Sequence, residues 1–231
     1  MTDWPGGERG RLDGVWWGRL TSHADERGAF REIWRASSSE SADDARNPRR
    51  GRGAPTTPTR PDHRFVQANL SSSRARVLRG LHYHRRQLDR WTIANGKAFV
   101  ALVDVRPVLA AAASQDAAGA ASGGAHVRPP AQGRPPEPGR PPEPGPSALV
   151  EARVLGPDEW VVIPSGVAHG FYAIEPTDLL YFVTNEYDGS DELGFAWDDP
   201  EVGVPWPDRD PILSLRDRSN PSLRELVGSL R

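Results

Sequence analysis

Short segments in which apolar and polar residues alternate recur along the chain, separated by turns rich in glycine, proline and small polar residues. An alternation of period two is typical of strands, because successive side chains of a strand point to opposite faces of a sheet. The alternation lapses over residues 37–62 and 108–147. The pattern predicts one all-β domain over residues 1–231, built as a sandwich, barrel or jelly roll.

The two lapses have the composition of insertions. Residues 37–62 are rich in serine, arginine and proline, and residues 108–147 run from an alanine, glycine and serine tract into the tandem repeat GRPPEPGRPPEPG. Segments of this kind bury too little apolar surface to offset the entropy lost on ordering. We therefore expect both to be low-complexity loops inserted into the domain.

Two local signals predict particular connections. Asn95-Gly96 stands between two β-type segments, and this dipeptide favours a tight β-hairpin. Asn220-Pro221 has the residue types of a helix N-cap and first helical position. We expect a short C-terminal helix that ends near Leu230.

Composition excludes several classes of protein. The 231 residues contain no cysteine, which excludes disulfides and thiolate metal sites, and the net charge of −2 provides no basic field for nucleic acid. The chain has no apolar run of bilayer length, and its N-terminus lacks the apolar region of a secretory signal. We expect a cytoplasmic protein with neither a nucleic-acid nor a membrane partner.

The densest chemistry lies in residues 77–91, VLRGLHYHRRQLDRW. On a strand, His82 and His84 point to one face and Leu81 and Tyr83 to the other. Two imidazoles on one face suit a site better than an apolar core. A histidine titrates near neutral pH, so an acid/base site is one interpretation, with a carboxylate partner and a later tyrosine such as Tyr181.

A metal site is the second interpretation. The spacing G-x-H-x-H-x4-D-x6-G and a later P-x-G-x-x-H contain four potential ligands of Fe, Mn, Ni or Zn, namely His82, His84, Asp89 and His169. Arginines at ordered positions are candidates for anion binding, namely Arg27, Arg79 and Arg90. Residue types alone leave these alternatives open, and a lone strand tyrosine is more often a core aromatic.

Several longer segments resemble one family. LRGLHYH, VIPSGVAHGFYAI, LLYFVTNEYDGSDELGFAWDDPEVGVPWP and DPILSLRDR are similar to motifs of the dTDP-4-dehydrorhamnose 3,5-epimerase family, as are DERGAFREIW and FVQANLSSSRARV upstream. The resemblance covers most of residues 25–217, apart from the two insertions. It implies a cupin-type double-stranded β-helix, or jelly roll, that acts as a homodimer on a nucleotide sugar without a cofactor.

The resemblance also implies roles for individual residues. His82 would be the catalytic base, Asp217 its carboxylate partner and Tyr181 the acid on the opposite side of the sugar. Substrate contacts would come from Arg27, Glu32, Gln67, Asn69, Arg79 and His169. The reaction implied is inversion at C3, C5 or both of a dTDP-4-keto-6-deoxyhexose through an enolate.

The chain departs from the family pattern at two positions. The family usually carries a lysine shortly after RGLH, near the keto oxygen, where this chain reads RRQLDRW and places Asp89 or a neighbour. His84 stands where the family tends to have another residue. These departures keep two alternatives open: a metal-dependent cupin isomerase or oxygenase using His82, His84, Asp89 and His169, and a sugar-nucleotide binding protein without activity.

Overall fold

The structure is a computed structural model that describes residues 4, 6–35, 64–122 and 149–230. The insertion predicted at residues 37–62 lies outside the described residues. So does most of the second predicted insertion, beyond residue 122.

Strands dominate the part of the chain that the structure describes. The strands are β1 (Gly7–Arg9), β2 (Trp16–Arg19), β3 (Ser22–Asp25), β4 (Gly28–Arg31), β5 (Gln67–Ser73), β6 (Leu78–Tyr83), β7 (Asp89–Asn95), β8 (Ala98–Asp104), β9 (Leu149–Leu155), β10 (Glu159–Ile163), β11 (Val167–Ala173), β12 (Thr177–Val183) and β13 (Leu193–Gly194). The helices are α1 (Arg106–Ser122), α2 (Leu215–Arg218) and α3 (Leu223–Ser229).

Two antiparallel sheets face each other. One has the order β1-β2-β10-β7-β12-β5 and the other β13-β6-β11-β8-β9, while β3 and β4 form a separate hairpin. The alternating apolar residues of both sheets meet in a buried cluster that includes Trp17, Ile93, Val100, Val161 and Phe171. The predicted all-β jelly roll is confirmed, because the two large sheets pack face to face around this shared core and the β3–β4 hairpin lies outside it.

The hairpin predicted at Asn95-Gly96 is wrong. β7 pairs with β10 and β12, whereas β8 pairs with β9 and β11 in the other sheet. Gly96 adopts φ +80°, and a Cβ there would lie 2.0 Å from the carbonyl oxygen of Pro176. The turn at Asn95-Gly96 is present, but it carries the chain from one sheet to the other. Both strands thereby present an apolar face to the core.

The expectation of a loop from residue 108 is wrong up to residue 122, where the chain forms α1. Alanine has the highest helix propensity, and the alanine run follows an apolar turn of helix that packs in a buried cluster with α3. The C-terminal helix is confirmed, but its N-cap is Ser222 rather than Asn220. Ser222 and Glu225 form a reciprocal capping box.

Candidate active site

A cavity of about 690 Å³ opens between the two sheets. Its lining comes from the inward faces of β5, β7 and β12 on one side and of β6 and β11 on the other. Trp91, Phe171 and Leu179 belong both to this lining and to the hydrophobic core, whereas the remaining lining residues are mostly polar or charged. A cavity of this size, with apolar and aromatic walls and many polar groups, suits an organic ligand that carries polar substituents.

His82 and Asp217 meet at this cavity. Nε2 of His82 lies 2.7 Å from Oδ1 of Asp217, and the hydroxyl of Ser214 donates to the other carboxylate oxygen at 2.8 Å. β6 supplies the histidine, and the first turn of α2 supplies the aspartate. An ionised carboxylate only accepts hydrogen bonds, so Nε2 carries the proton and Nδ1 is the basic nitrogen of the neutral ring.

The charge of Asp217 is maintained by its neighbours. Burial alone would raise the pKa of this carboxyl group, but the hydrogen bond and charge of His82, with help from Ser214 and Arg216, outweigh burial and hold the pKa below its usual value. Asp217 therefore remains a carboxylate at neutral pH. The carboxylate beside Nε2 holds the His82 ring in one orientation.

Tyr181 lines the same cavity from β12, in register with Asn69 of β5 and Trp91 of β7. Burial raises the pKa of its phenol, and the charge of Asp89 raises it further. The phenol therefore stays protonated at neutral pH. A protonated phenol on the wall of the cavity is able to act as a proton donor.

Three further residues form a cluster deeper in the cavity, which we call the His84–Asp89–His169 cluster. Nε2 of His169 lies 3.5 Å from Oδ2 of Asp89, and the rings of His84 and His169 have centroids 5.4 Å apart. Burial raises the pKa of Asp89 and holds the pKa of His169 well below its usual value, so burial disfavours the charged form of each.

Polar side chains of β5 and β6 complete the lining. Gln67 donates to Asn69 at 2.9 Å and accepts the backbone N–H of Tyr187 at 3.0 Å, while Arg79 donates to the hydroxyl of Ser73 at 3.0 Å. These bonds fix the amide and guanidinium groups against the sheet. The cavity thus offers hydrogen-bonding groups that are already oriented.

Comparison with known proteins relates the chain to one family. The family model described as dTDP-4-dehydrorhamnose 3,5-epimerase matches residues 9–113 and 155–225. The dTDP-4-dehydrorhamnose 3,5-epimerase of Salmonella typhimurium is 30% identical over 168 residues, which cover 71% of this chain and 74% of the relative. The chain belongs to the dTDP-4-dehydrorhamnose 3,5-epimerase family.

The chain is also similar to other known proteins. The spore coat polysaccharide biosynthesis protein SpsL of Bacillus subtilis is 28% identical over 201 residues, or 84% of this chain and 96% of the relative. NovW, a 4-keto-6-deoxy sugar epimerase of Streptomyces spheroides, has a similar structure with a TM-score of 0.66, 25% identity and coverage of 96% and 89%. The rmlC epimerase of Mycobacterium tuberculosis, at 24% identity, shares the fold with a TM-score of 0.65 and coverage of 96% and 90%.

Membership of the epimerase family makes the chain an isomerase, as the sequence predicted. Among the described helices, none combines the length and apolar character needed to cross a lipid bilayer.

Most of the residues predicted for the epimerase site line one cavity, namely Gln67, Asn69, Arg79, His82, His169, Tyr181 and Asp217. Arg27 and Glu32 do not line it. Arg27 lies on the exposed hairpin and pairs with Asp25 at 2.5 Å, and Glu32 pairs with Arg35. Their contact with substrate stays a prediction, because neither side chain lines the cavity of its own chain.

The four metal ligands considered from the sequence are not all brought together. His84, Asp89 and His169 form a cluster, whereas His82 is bonded to Asp217 instead. His82 lies instead against the carboxylate of Asp217, which α2 places directly beside its ring. A four-ligand site that includes His82 is therefore not what the structure shows.

The resemblance implies a lysine in the region of Asp89, where this chain has other residues. Asp89 lines the cavity, and of the three nearby arginines Arg85, Arg86 and Arg90, only Arg86 lines it too. Arg90 faces the opposite side of the sheet and stacks on Trp160, where burial lowers its pKa to about 10. Arg90, an anion-binding candidate from the sequence, therefore does not reach this cavity.

Sequence reasoning missed several charged residues at the cavity. These are Arg216 and Glu192, which pair with each other, and Asp188, which accepts a hydrogen bond from Arg86 at 2.6 Å; all three line the cavity. Arg216 immediately precedes Asp217 within the motif DPILSLRDR. Its place next to Asp217 in the sequence could have identified Arg216 as a site residue. Its ion pair with Glu192 depends on the folded chain.

Proposed function

We propose that the chain epimerises a dTDP-4-keto-6-deoxyhexose at C3, C5 or both, by acid/base chemistry through an enolate. The observation that carries the proposal is the His82–Asp217 pair at 2.7 Å in a cavity that also contains the protonated phenol of Tyr181. A base and an acid lining one cavity are what inversion of a carbon centre requires.

The reaction begins at a carbon next to the keto group, whose hydrogens are acidified because the negative charge left behind spreads onto the keto oxygen. Nδ1 of His82 removes this proton, and the carboxylate of Asp217 stabilises the imidazolium that forms. Tyr181 then donates a proton to the opposite face of the enolate. A positioned acid or base contributes about 10²–10⁴-fold to the rate.

The substrate class is supported by relatives and by the lining. A Legionella pneumophila enzyme of this fold is described in complex with dTDP-4-keto-L-rhamnose, and a Bacillus anthracis one with TDP and PPi bound. In this chain the guanidinium groups of Arg79, Arg86 and Arg216 lie at the cavity. Guanidinium forks suit the oxygens of a diphosphate.

We also propose the homodimer that the family resemblance implies. Arg27 has 83% of its side chain exposed on the β3–β4 hairpin, and Phe30 beside it is 70% exposed. An exposed hairpin that carries predicted substrate contacts is suited to reach the cavity of a second copy. In that arrangement Arg27 and Glu32 would complete the neighbouring site.

Solvent exchange tests the function directly. Incubation of the intact protein in D2O with dTDP-4-keto-6-deoxyglucose, followed by NMR, should show deuterium entering at C3, C5 or both, together with epimerised product. Absence of exchange at both carbons with this sugar and with its C3 and C5 epimers would overturn the proposal. Exchange would in turn exclude the alternative of a binding protein without activity.

A further inference from the structure

The His84–Asp89–His169 cluster contains groups that the proposed acid/base chemistry does not use. Each residue offers one ligand atom, and the three atoms lie within 4.8 Å of one another. Asp89 begins β7, His169 lies on β11 of the opposite sheet and His84 follows β6. The cluster is therefore assembled from both sheets, with Asp89 and His169 fully buried and His84 partly exposed.

Backbone carbonyls set the tautomer of both imidazoles. Nδ1 of His84 lies 2.9 Å from the carbonyl oxygen of Asp191, and Nδ1 of His169 lies 3.2 Å from that of Val167. A carbonyl oxygen only accepts, so each Nδ1 carries the hydrogen and each Nε2 keeps a lone pair. Metal-binding histidines are typically oriented by bonds of this kind.

The lone pair of His169 faces another acceptor. Its Nε2 is 3.5 Å from Oδ2 of Asp89, which is longer than the roughly 2.7–3.2 Å of a hydrogen bond involving nitrogen. The carboxylate already accepts from Gln87 at 2.7 Å and from the indole of Trp91 at 3.2 Å. Nε2 of His169 and Oδ2 of Asp89 therefore face each other at a distance too long for a hydrogen bond, and both are atoms of the kind that coordinate metal ions.

We propose that His84, Asp89 and His169 bind one divalent first-row transition metal ion through two Nε2 atoms and one carboxylate oxygen. Two imidazoles and one carboxylate form a ligand set that leaves coordination positions open to other ligands. Metal–nitrogen and metal–oxygen bonds of about 2.0–2.2 Å place ligand atoms no more than about 4.4 Å apart. The three ligand atoms lie within 4.8 Å of one another, so binding of an ion requires them to draw slightly closer.

The ion has a role that rests on the proposed function. Asp89 lines the same cavity as the proposed base His82 and the proposed acid Tyr181. A bare carboxylate would oppose the negative charge that develops on the enolate oxygen. A divalent ion held by Asp89 reverses the sign of the local charge and stabilises that oxygen, while the proton still passes to His82.

Metal binding is tested without reference to activity. The full chain, stripped by dialysis against a chelator, is titrated with Co2+ and followed by calorimetry and by visible d–d absorption. We expect one Co2+ per chain, with affinity reduced at least about 10-fold in His84→Ala and in Asp89→Asn. His23→Ala, which removes an exposed histidine of β3, is the matched control and should bind as the wild type does.

The outcomes separate the two proposals. No stoichiometric Co2+ binding, or equal binding by folded His84→Ala and Asp89→Asn, overturns the metal site; circular dichroism establishes folding. If the ion binds, protein stripped of metal should incorporate solvent deuterium into the substrate at least about 10-fold more slowly than metal-loaded protein. The rate should recover when metal is added. Equal exchange with and without metal overturns the role in stabilising the enolate. Binding without exchange in either form leaves the metal site standing and overturns the epimerase proposal.

Discussion

Nε2 of His82 and Oδ1 of Asp217 lie 2.7 Å apart although 135 positions separate the two residues in the chain. The contact joins an inner strand of one sheet to the short helix α2 near the C-terminus. Ser214 holds α2 in place, because its hydroxyl donates to the carboxylate of Asp217 and accepts the backbone N–H of the same residue at 3.0 Å. The proposed base is therefore oriented by a segment close to the C-terminal end of the sequence.

Replacement of Tyr181 by phenylalanine should separate exchange from inversion. His82 still removes the proton and returns it to the same face, so deuterium enters the substrate with its configuration retained. Epimerised product should fall about 10²–10⁴-fold, because the acid on the opposite face is missing. NMR of the recovered sugar in D2O measures both quantities.

The matched control for this change is Tyr172→Phe. Tyr172 donates its hydroxyl to Asp208 at 3.1 Å and does not line the cavity. Its replacement should leave both exchange and inversion near the wild-type rates. Equal loss of exchange and inversion in Tyr181→Phe would contradict the assignment of the phenol as the acid.

Replacement of Asp217 by asparagine should slow exchange and inversion together. The amide preserves the shape of the side chain but removes the charge that stabilises the His82 imidazolium. Because a misplaced or unsupported base loses about 10²-fold or more, kcat should fall by at least that factor while the KM for the sugar changes little. Steady-state kinetics check this split, and a raised KM with unchanged kcat would argue that Asp217 serves binding instead.

Asp217 should also make stability depend on pH. Its pKa is lower in the folded chain than in the unfolded chain, so its contribution is fully present above the usual pKa of an aspartate and is lost as pH falls through the folded-state pKa. The wild type should exceed Asp217→Asn in the free energy of unfolding by about 1–3 kcal/mol at pH 7. Urea unfolding at a series of pH values should show the difference shrinking towards acid pH; a constant difference would contradict this.

Glu151 is expected to be a major contributor to stability outside the cavity. It is 2% exposed, and its carboxylate accepts from the backbone N–H of Arg11 at 2.7 Å, from that of Leu12 at 3.1 Å and from the indole of Trp17 at 2.9 Å. Glu151→Ala leaves these donors without an acceptor and should lower the free energy of unfolding by about 3 kcal/mol or more.

Leu149→Ala on the same strand β9 is the control for Glu151→Ala. Leu149 is 55% exposed, so its truncation should change the free energy of unfolding by less than about 0.5 kcal/mol. Urea denaturation of both variants measures the contrast. Similar losses in the two would show that the buried carboxylate has no special part in holding the N-terminal segment against β9.

Much of this architecture was readable from residue order. Alternation identified the strands because one face of each is buried, and the face shared by His82 and His84 followed from the same period of two. Membership of the family, the isomerase class and the cavity positions of His82, Tyr181 and Asp217 were carried by contiguous motifs. A contiguous motif can be identified from the sequence without knowledge of which distant segments pack together.

Other features depend on which distant segments meet. Alternation shows that a strand has an apolar face but does not identify the strand that pairs with it. The sequence therefore predicts a hairpin of β7 and β8, whereas packing assigns them to opposite sheets. Asp89 acquired its neighbours His84 and His169 because the two sheets close over one another. The separation of Arg27 from the cavity, and the docking of α1 against α3, arise in the same way, since these contacts are set by packing between segments far apart in the chain.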